Sequence, residues 1–587
     1  MNLRLRMFVL ALLTSLCAAV SFAQNGNSSA PQSTAPAPAV TIHLGNPGQP
    51  AQVVPTAPPP TTSGIMPALA AANQLFSQRK FADAGARYQA IVKADPKVAP
   101  AQVGLMRCLL MLQKIDDAQN AATAAIAAVP DSSQVLATAA DVQFRVGKIP
   151  DAEQLYVKAR NLNPKDAEPY LGLTRIYNAY SLYRRAYDNL KKAHEAAPDS
   201  PIVQVLYFHS LPKADQIPAL ESYLAKPNLN PQMARGLQGY LAFLKKNAAA
   251  PVHACKLVSN VDKTDTKLNA FGRPDTRLGG VALDVNVNKQ QLHLALDTGN
   301  SGILLGRAAA EKLKLQRLGY QAIAGVGDAG TQGGFTALAD RIRIGDLEFR
   351  DCVVKVTDAA TPVPGEDGLI GADVFSAYLV DIDIPGSRLR LSPLPKRPNE
   401  NAQPTALQTV AQDQGEDSDT GGGATMRSAG VPTEIPMDAY VAPSMANWTK
   451  VYRFRSLLLI PTYVERTGPW LFMIDTGSFS NILATRTAQE VTQIRATGMQ
   501  VSGMSGSVSK VYTADKATLQ FGRFIQENED MVTFDLSAAS RQTGTEVAGI
   551  LGFRMLRILQ VRIDYRDGLV DFLFDVHRLP KDVRIGH

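Results

Sequence analysis

Cysteine, tryptophan and charge are all scarce in this 587-residue chain, which has 4 cysteines, 2 tryptophans and 19% charged residues. So few cysteines exclude a disulfide-built scaffold, which crowds its bridges into a short chain. The 7 histidines are scattered and neither HExxH nor CxxC occurs, so the usual zinc signatures are missing, and no metal and no cofactor is expected. The net charge of +7, or +5 without Arg4 and Arg6, is modest, and no dense Lys/Arg stripe is present. A dedicated nucleic-acid binder is therefore not expected. No apolar run reaches the roughly 18 residues of a membrane span. What the chain does have is apolar material: 45% hydrophobic residues supply several packed cores and exclude a wholly disordered protein. The length suits roughly three to four domains.

Residues 1–23 read as an export signal. Arg4 and Arg6 form the positive end, residues 7–20 are almost wholly apolar, and Ser21-Phe22-Ala23 fits a small-x-small cleavage site. Cys17 invites a lipoprotein reading, but Leu16 before it is bulkier than the small residue usual there. The expected location is the periplasm or the exterior of a bacterial envelope. Cleavage leaves Cys108, Cys255 and Cys352. The last two flank one proposed domain, and either pair in an oxidising compartment or remain two buried thiols.

Residues 24–64 lack Asp, Glu, Lys and Arg and are rich in Pro, Ala, Ser and Thr, so a linker is expected there. Residues 65–250 turn to Ala, Leu, Gln and Lys at helical spacing, and a repeat is visible. Pro96, Pro130, Pro164 and Pro198 recur at a step of 34 residues, as do Ala84, Ala118, Ala152 and Ala186, with Tyr88 and Tyr156 at the aromatic position that follows. The pattern resembles the tetratricopeptide repeat, whose period is 34 residues. A small Ala lets two antiparallel helices approach, and Pro ends the second helix before the next unit. The resemblance implies an all-α superhelix that docks a protein or peptide, though no residue declares the ligand. Residues 201–246 are expected to add one degenerate unit and a closing helix.

A second repeat, of longer period, follows. The apolar strand 291–296 runs into Asp297-Thr298-Gly299-Asn300, and 470–474 runs into Asp475-Thr476-Gly477-Ser478. Chance would give about 0.1 Asp-Thr-Gly triplets in a chain of this composition. Each triplet leads to a second apolar stretch, at Ile303-Leu304-Leu305 and Ile482-Leu483. Each is followed 74 and 77 residues later by the closing glycines Gly371 and Gly552 of Gly-Leu-Ile-Gly and Gly-Ile-Leu-Gly. Matching strand pairs are expected at 378–391 and 559–574. The two halves, 251–395 and 448–587, are copies of one β-unit.

This set resembles the pepsin and retroviral aspartic proteases, and their retropepsin-like bacterial branch most of all. It implies an all-β acid-protease double lobe over about half the chain. It also implies that Asp297 and Asp475 are the catalytic pair, that Thr298 and Thr476 cross-brace the turns through their hydroxyls, and that Gly299 and Gly477 permit close backbone approach. Gly371 and Gly552 would pack behind the turns. Ser478 is the residue expected after the triplet, its hydroxyl bonding the adjacent carboxylate. Asn300 departs from that pattern, with an amide that can still donate. Two carboxylates about 3 Å apart cannot both ionise, so they share a proton and activate a water without metal or covalent intermediate.

The resemblance also implies a Gly-rich flap, expected at Gly325, Gly327 and Gly330, with its counterpart at Gly503 and Gly506. Alone, Gly325-x-Gly327-x-x-Gly330 matches a dinucleotide fingerprint, which needs a helix after the loop; another Gly-rich stretch and a strand are expected instead. His293 lies four residues before Asp297 on an alternating strand, where a structural role is usual. The acidic cluster 416–419 reads as part of a solvated connector, 396–447. About 50 flexible residues span on the order of 40 Å, enough for the two lobes to pair face to face. The expected protein is an exported aspartic endopeptidase acting on a peptide or protein substrate, a monomer whose lobes pair within the chain. Pairing of each lobe with its twin in a homodimer is the alternative assembly. A catalytically idle peptide-binding scaffold is the alternative function.

Overall fold

The computed structural model describes residues 64–580 apart from 212, 228, 230, 249–254, 274–275, 324, 326–331, 360–361, 399–437 and 504–505, together with two strands before them. The expected signal at 1–23 and most of both linkers lie outside the described residues, as do the flap positions Gly327 and Gly330 and the acidic cluster 416–419. Within the first expected linker, Ala39–His43 and Gln52–Thr56 pair antiparallel. Their β-branched Val40, Ile42, Val53 and Val54 suit a strand, which the proline-rich composition around them obscures.

By contacts the chain forms two compact units, 1–173 with 193–203, and 174–192 with 204–587. The helical region begins with the antiparallel pairs Ile65–Ser77 with Phe81–Ala94, Ala99–Met111 with Ile115–Ala128, and Ser133–Arg145 with Ile149–Leu162. Ala167–Ala179 and Tyr183–Ala196 come next in sequence, and Pro201–Ser210, Lys213–Leu224 and Pro231–Ala248 complete the series. Among the described residues, no helix is long and apolar enough to cross a membrane. The prolines of the 34-residue step each stand two residues beyond the second helix of a pair, where a missing N–H costs no helical hydrogen bond. Ala84, Ala118, Ala152 and Ala186 are all buried, as close helix packing requires. The rings of Tyr88 and Tyr156 fill the space where Gly104 and Gly172 lack a side chain. Their hydroxyls donate to Asn73 at 2.6 Å and Asp141 at 2.5 Å, so each aromatic ties its helix to the one before it.

From residue 255 the chain is almost wholly β. In the first lobe the strand Gly368–Gly371 lies parallel to Gln290–Asp297 and antiparallel to Ile303–Leu305, with Gly371 beside Asp297. The second lobe repeats the arrangement. Gly549–Gly552 is parallel to Thr467–Asp475 and antiparallel to Ile482–Ala484, with Gly552 beside Asp475. The lobes join through Tyr378–Asp383 and Leu559–Asp564, which pair antiparallel with Val380 beside Ile563. Arg388–Pro393 and Thr264–Arg273 extend that sheet on one side, Leu569–Phe574 and Thr449–Lys450 on the other. One apolar core runs through both lobes and includes Leu294, Leu296, Ile370, Phe375, Ile474, Leu551 and Phe553, each at most 2% exposed. Cys255 and Cys352 form a disulfide that ties the start of the first lobe to its strand Leu347–Thr357, and Cys108 is a buried free thiol.

Candidate active site

Each aspartate ends an apolar strand, and the chain turns sharply after it. Alternation buries Leu292, Leu294 and Leu296 in the core and delivers Asp297 to the strand end, half-buried. Asp475 ends the continuously buried run Leu471-Phe472-Met473-Ile474 and is 9% exposed. The N–H of Gly299 donates to Asp297 Oδ1 at 2.8 Å, and that of Gly477 to Asp475 Oδ1 at 2.8 Å. Ser478 adds its backbone N–H to Asp475 Oδ1 at 3.2 Å.

The turns are locked together by four reciprocal bonds. Thr298 Oγ1 donates to the Ile474 carbonyl at 2.8 Å and accepts from the Thr476 N–H at 3.0 Å. Thr476 Oγ1 donates to the Leu296 carbonyl at 2.8 Å and accepts from the Thr298 N–H at 3.1 Å. Both threonines are nearly inaccessible to water, so these bonds are made in a low-dielectric setting where an unmade one costs about 1–3 kcal/mol. Gly299 and Gly477 let the turns meet. A Cβ on Gly299 would stand 2.7 Å from Cγ of Asp475, and one on Gly477 would stand 2.5 Å from Cγ of Asp297.

The two carboxyls therefore share one desolvated space. Burial, the Asp475 charge and the side-chain interaction with Asp475 hold Asp297 well above the usual carboxylate range, against the N–H groups of Gly299 and Asn300. Burial also raises Asp475, opposed by the side-chain interaction with Asp297 and by the N–H groups of Gly477, Ser478 and Gly299. The two carboxyls therefore titrate as a coupled pair that holds a proton above the ordinary carboxylate range.

Two side chains beside the triplets differ from expectation. Ser478 Oγ donates to the Ser480 carbonyl at 3.1 Å, so its contact with the carboxylate is through its backbone. Asn300 Nδ2 donates to the Gly302 carbonyl at 3.2 Å rather than to Asp297. In both turns the tight backbone offers a nearer acceptor. Gly371 and Gly552 stand against the backbone of the turns, at the carbonyls of Asn300 and Ser480. Gly503 and Gly506 pair across the short hairpin Val501–Gly503 with Gly506–Val508, and Gly325 is exposed. The strand Gln332–Ile344 is the next described element after Gly325, where a dinucleotide site would need a helix. His293 Nδ1 lies 2.7 Å from Asp284 Oδ1 on the neighbouring strand, half-exposed and outside the aspartate pair.

Several residues around the turns escape a motif-based reading. Asp373, 2% exposed, accepts from the Gly302 N–H at 2.9 Å and from Ser301 Oγ at 3.2 Å. Lys355 Nζ donates to the Ser301 carbonyl at 3.2 Å. In the second lobe Asn481 Oδ1 accepts from the Gly552 N–H at 2.9 Å. Aligning the two halves offers the one available signal: two residues past the closing glycine stand Asp373 in the first and Arg554 in the second.

An aspartyl protease family model matches residues 283–374, and a tetratricopeptide repeat model matches residues 75–142. The first match contains Asp297 and Gly371 and ends before the second lobe. No curated protein matches the chain. Among solved structures, the aspartic proteinase from Irpex lacteus aligns over 54% of this chain and 98% of its own, at 10% identity and a TM-score of 0.31. The chain carries a helical region similar to tetratricopeptide repeats, followed by a mostly β, aspartyl-protease-like domain.

Proposed function

We propose that the protein is an exported, retropepsin-like aspartic endopeptidase, with one site formed by the two lobes of a single chain and a repeat region that docks protein. The observation that carries this reading is the reciprocal seating of Asp297 and Asp475. Each carboxyl lies against the glycine of the other triplet, in a space where only one can ionise. In the proposed step, Asp475 takes a proton from a water held between the pair while the water oxygen bonds to the peptide carbonyl carbon. Asp297 gives its proton to the carbonyl oxygen, yielding a neutral gem-diol. When the C–N bond breaks, the proton on Asp475 passes to the leaving amine and a hydroxyl proton returns to Asp297. In this reading the segments at Gly503 and Gly506 and at Gly325 act as flaps over the bound chain.

The test is digestion of a diverse peptide mixture by the full chain between pH 3 and 8, beside Asp297→Asn and Asp475→Asn. Cleavage lost in both variants is the expected result. Cleavage surviving in one would mean that each lobe works with its twin in a homodimer. No cleavage by the folded wild type at any pH would leave a peptide-binding scaffold. The pH profile has a definite expected form. Only the singly protonated pair is active, and both carboxyls are raised. Activity therefore rises at or above the ordinary carboxylate range and falls only where Asp297 loses its proton, well above it.

A further inference from the structure

The two aspartate turns are near copies, yet they are braced by different chemistry. In the second lobe the brace is neutral and local: Asn481, three residues beyond Ser478, accepts from the Gly552 N–H at 2.9 Å, and its amide donates to Gln526 at 2.8 Å. In the first lobe the corresponding N–H, on Gly371, goes to the Gly302 carbonyl at 2.8 Å. The brace there arrives from the other side, as a carboxylate. Asp373 sits two residues past Gly371 and receives the Gly302 N–H at 2.9 Å on one oxygen and Ser301 Oγ at 3.2 Å on the other. At the equivalent place the second lobe has Arg554, whose side chain is exposed. A buried acid therefore underlies one aspartate of the pair only.

Asp373 follows the strand that pairs with Asp297. Gly371 is the register partner of Asp297 on the adjacent strand, and strands lie about 4.8 Å apart. A Cβ on Gly371 would collide with Asp373 Oδ1. The charged and titratable groups that face Asp373 come from three elements. Lys355 stands on the strand Leu347–Thr357 and Arg453 on Tyr452–Phe454, both favouring its charge. Tyr565, fully buried beyond Leu559–Asp564, feels both Asp373 and Asp297. Arg453 donates to the Tyr565 carbonyl at 2.9 Å and lies 5.5 Å from its ring centroid. Burial raises Asp373 above the ordinary carboxylate range, and the Gly302 N–H, the Ser301 hydroxyl and these two cations oppose that rise.

We propose that Asp373 is a positioning residue that breaks the symmetry of the aspartate pair: its charge beside Asp297 keeps the shared proton on Asp297 and leaves Asp475 to activate the water. The inference rests on the proposed peptidase reading and deepens it, because two aspartates on equivalent turns would otherwise share the proton without preference. Asp373 acts through Asp297 and touches no substrate in this scheme.

The experiment compares wild type and Asp373→Asn on one peptide taken from the mixture digest, following kcat and KM across pH. Asparagine keeps an acceptor for the Gly302 N–H and removes the charge. The base limb of the variant is expected to move down by about one pH unit, with KM unchanged. A folded variant with an unmoved base limb overturns the inference, even if its kcat is lower, since a purely structural brace predicts that outcome. Lys355→Met is the second variant. It leaves both hydrogen bonds to Asp373 and strips one facing cation, so the base limb is expected to move up. No movement, or a downward one, overturns the inference as well. Failure of the wild type to cleave would instead sink the peptidase reading on which this rests, so the two failures are distinguishable.

Discussion

At Gly477 the absence of a side chain is a geometric requirement. A methyl group there would lie 2.6 Å from both oxygens of Asp297, inside their van der Waals radii, and would push the carboxyl off its partner. Displacement of a reacting group by about 1 Å costs on the order of 100-fold in rate. Gly477→Ala is accordingly expected to lower kcat/KM at least that far, while the four threonine bonds keep the lobes assembled. Peptide cleavage together with a thermal melt checks this. A variant with full activity would show that the carboxyls do not meet as described. The residue types in this turn were legible in the sequence, because Asp, Thr and Gly each have a distinct job and recur in order. The roles of Ser478 and Asn300 were not, since a hydroxyl or amide takes the nearest acceptor and only the folded turn shows that this is a backbone carbonyl. Asp373 was illegible for another reason. It is one of 53 acidic residues, and nothing local marks it as the one carried under the Asp297 turn.

The strand Leu559–Asp564 shows what an element adds to such residues. Its alternation buries Leu559, Val561 and Ile563 and was readable from the sequence, as was the partner strand Leu569–Phe574. Its register against Tyr378–Asp383 was not, because period 2 specifies a face and not a partner. That register places Asp564 opposite Leu379, 1% exposed, with one carboxylate oxygen lacking a hydrogen-bond partner. Burial, and then the charge of Asp567, push Asp564 up to about 6. The folded state thus holds a proton that the unfolded chain releases near 3.8, so stability falls as pH rises through that interval. Over the whole interval the loss is at most roughly 3 kcal/mol. Asp564→Asn removes the titration while keeping an acceptor for the Asp567 N–H, which now bonds Asp564 Oδ1 at 3.0 Å. In urea unfolding at pH 4.5 and 7.5, the variant is expected to lose less stability between the two conditions than wild type. Equal losses would place the burden on another group.

At the scale of the whole molecule, the 34-residue period shows how helices pair and says nothing of where the array stops being an array. Residues 174–192 carry the alanine mark of the units before them, at Ala186, yet by contacts they belong with the β lobes. The reason lies in side chains that a period ignores. Tyr180 stacks at 5.5 Å on Tyr452, Arg185 bonds Asp438 through both its backbone and its side chain, and a Cβ on Gly568 would meet Ser181 Oγ at 2.9 Å. Tyr183, 5% exposed, donates to Ser181 at 3.0 Å within the same corner. This corner is therefore a structural part of the unit that holds the β lobes. Two substitutions in the full chain separate the units. Tyr183→Ala empties a buried aromatic site, worth about 3–5 kcal/mol, and is expected to lower the temperature at which peptide cleavage is lost on heating. Gly104→Ala drives a methyl group into the Tyr88 ring, so it is expected to lower helical melting followed by circular dichroism and leave the thermal inactivation of cleavage where it was. If instead Gly104→Ala inactivates cleavage as readily as Tyr183→Ala, the two units unfold together and the prediction fails.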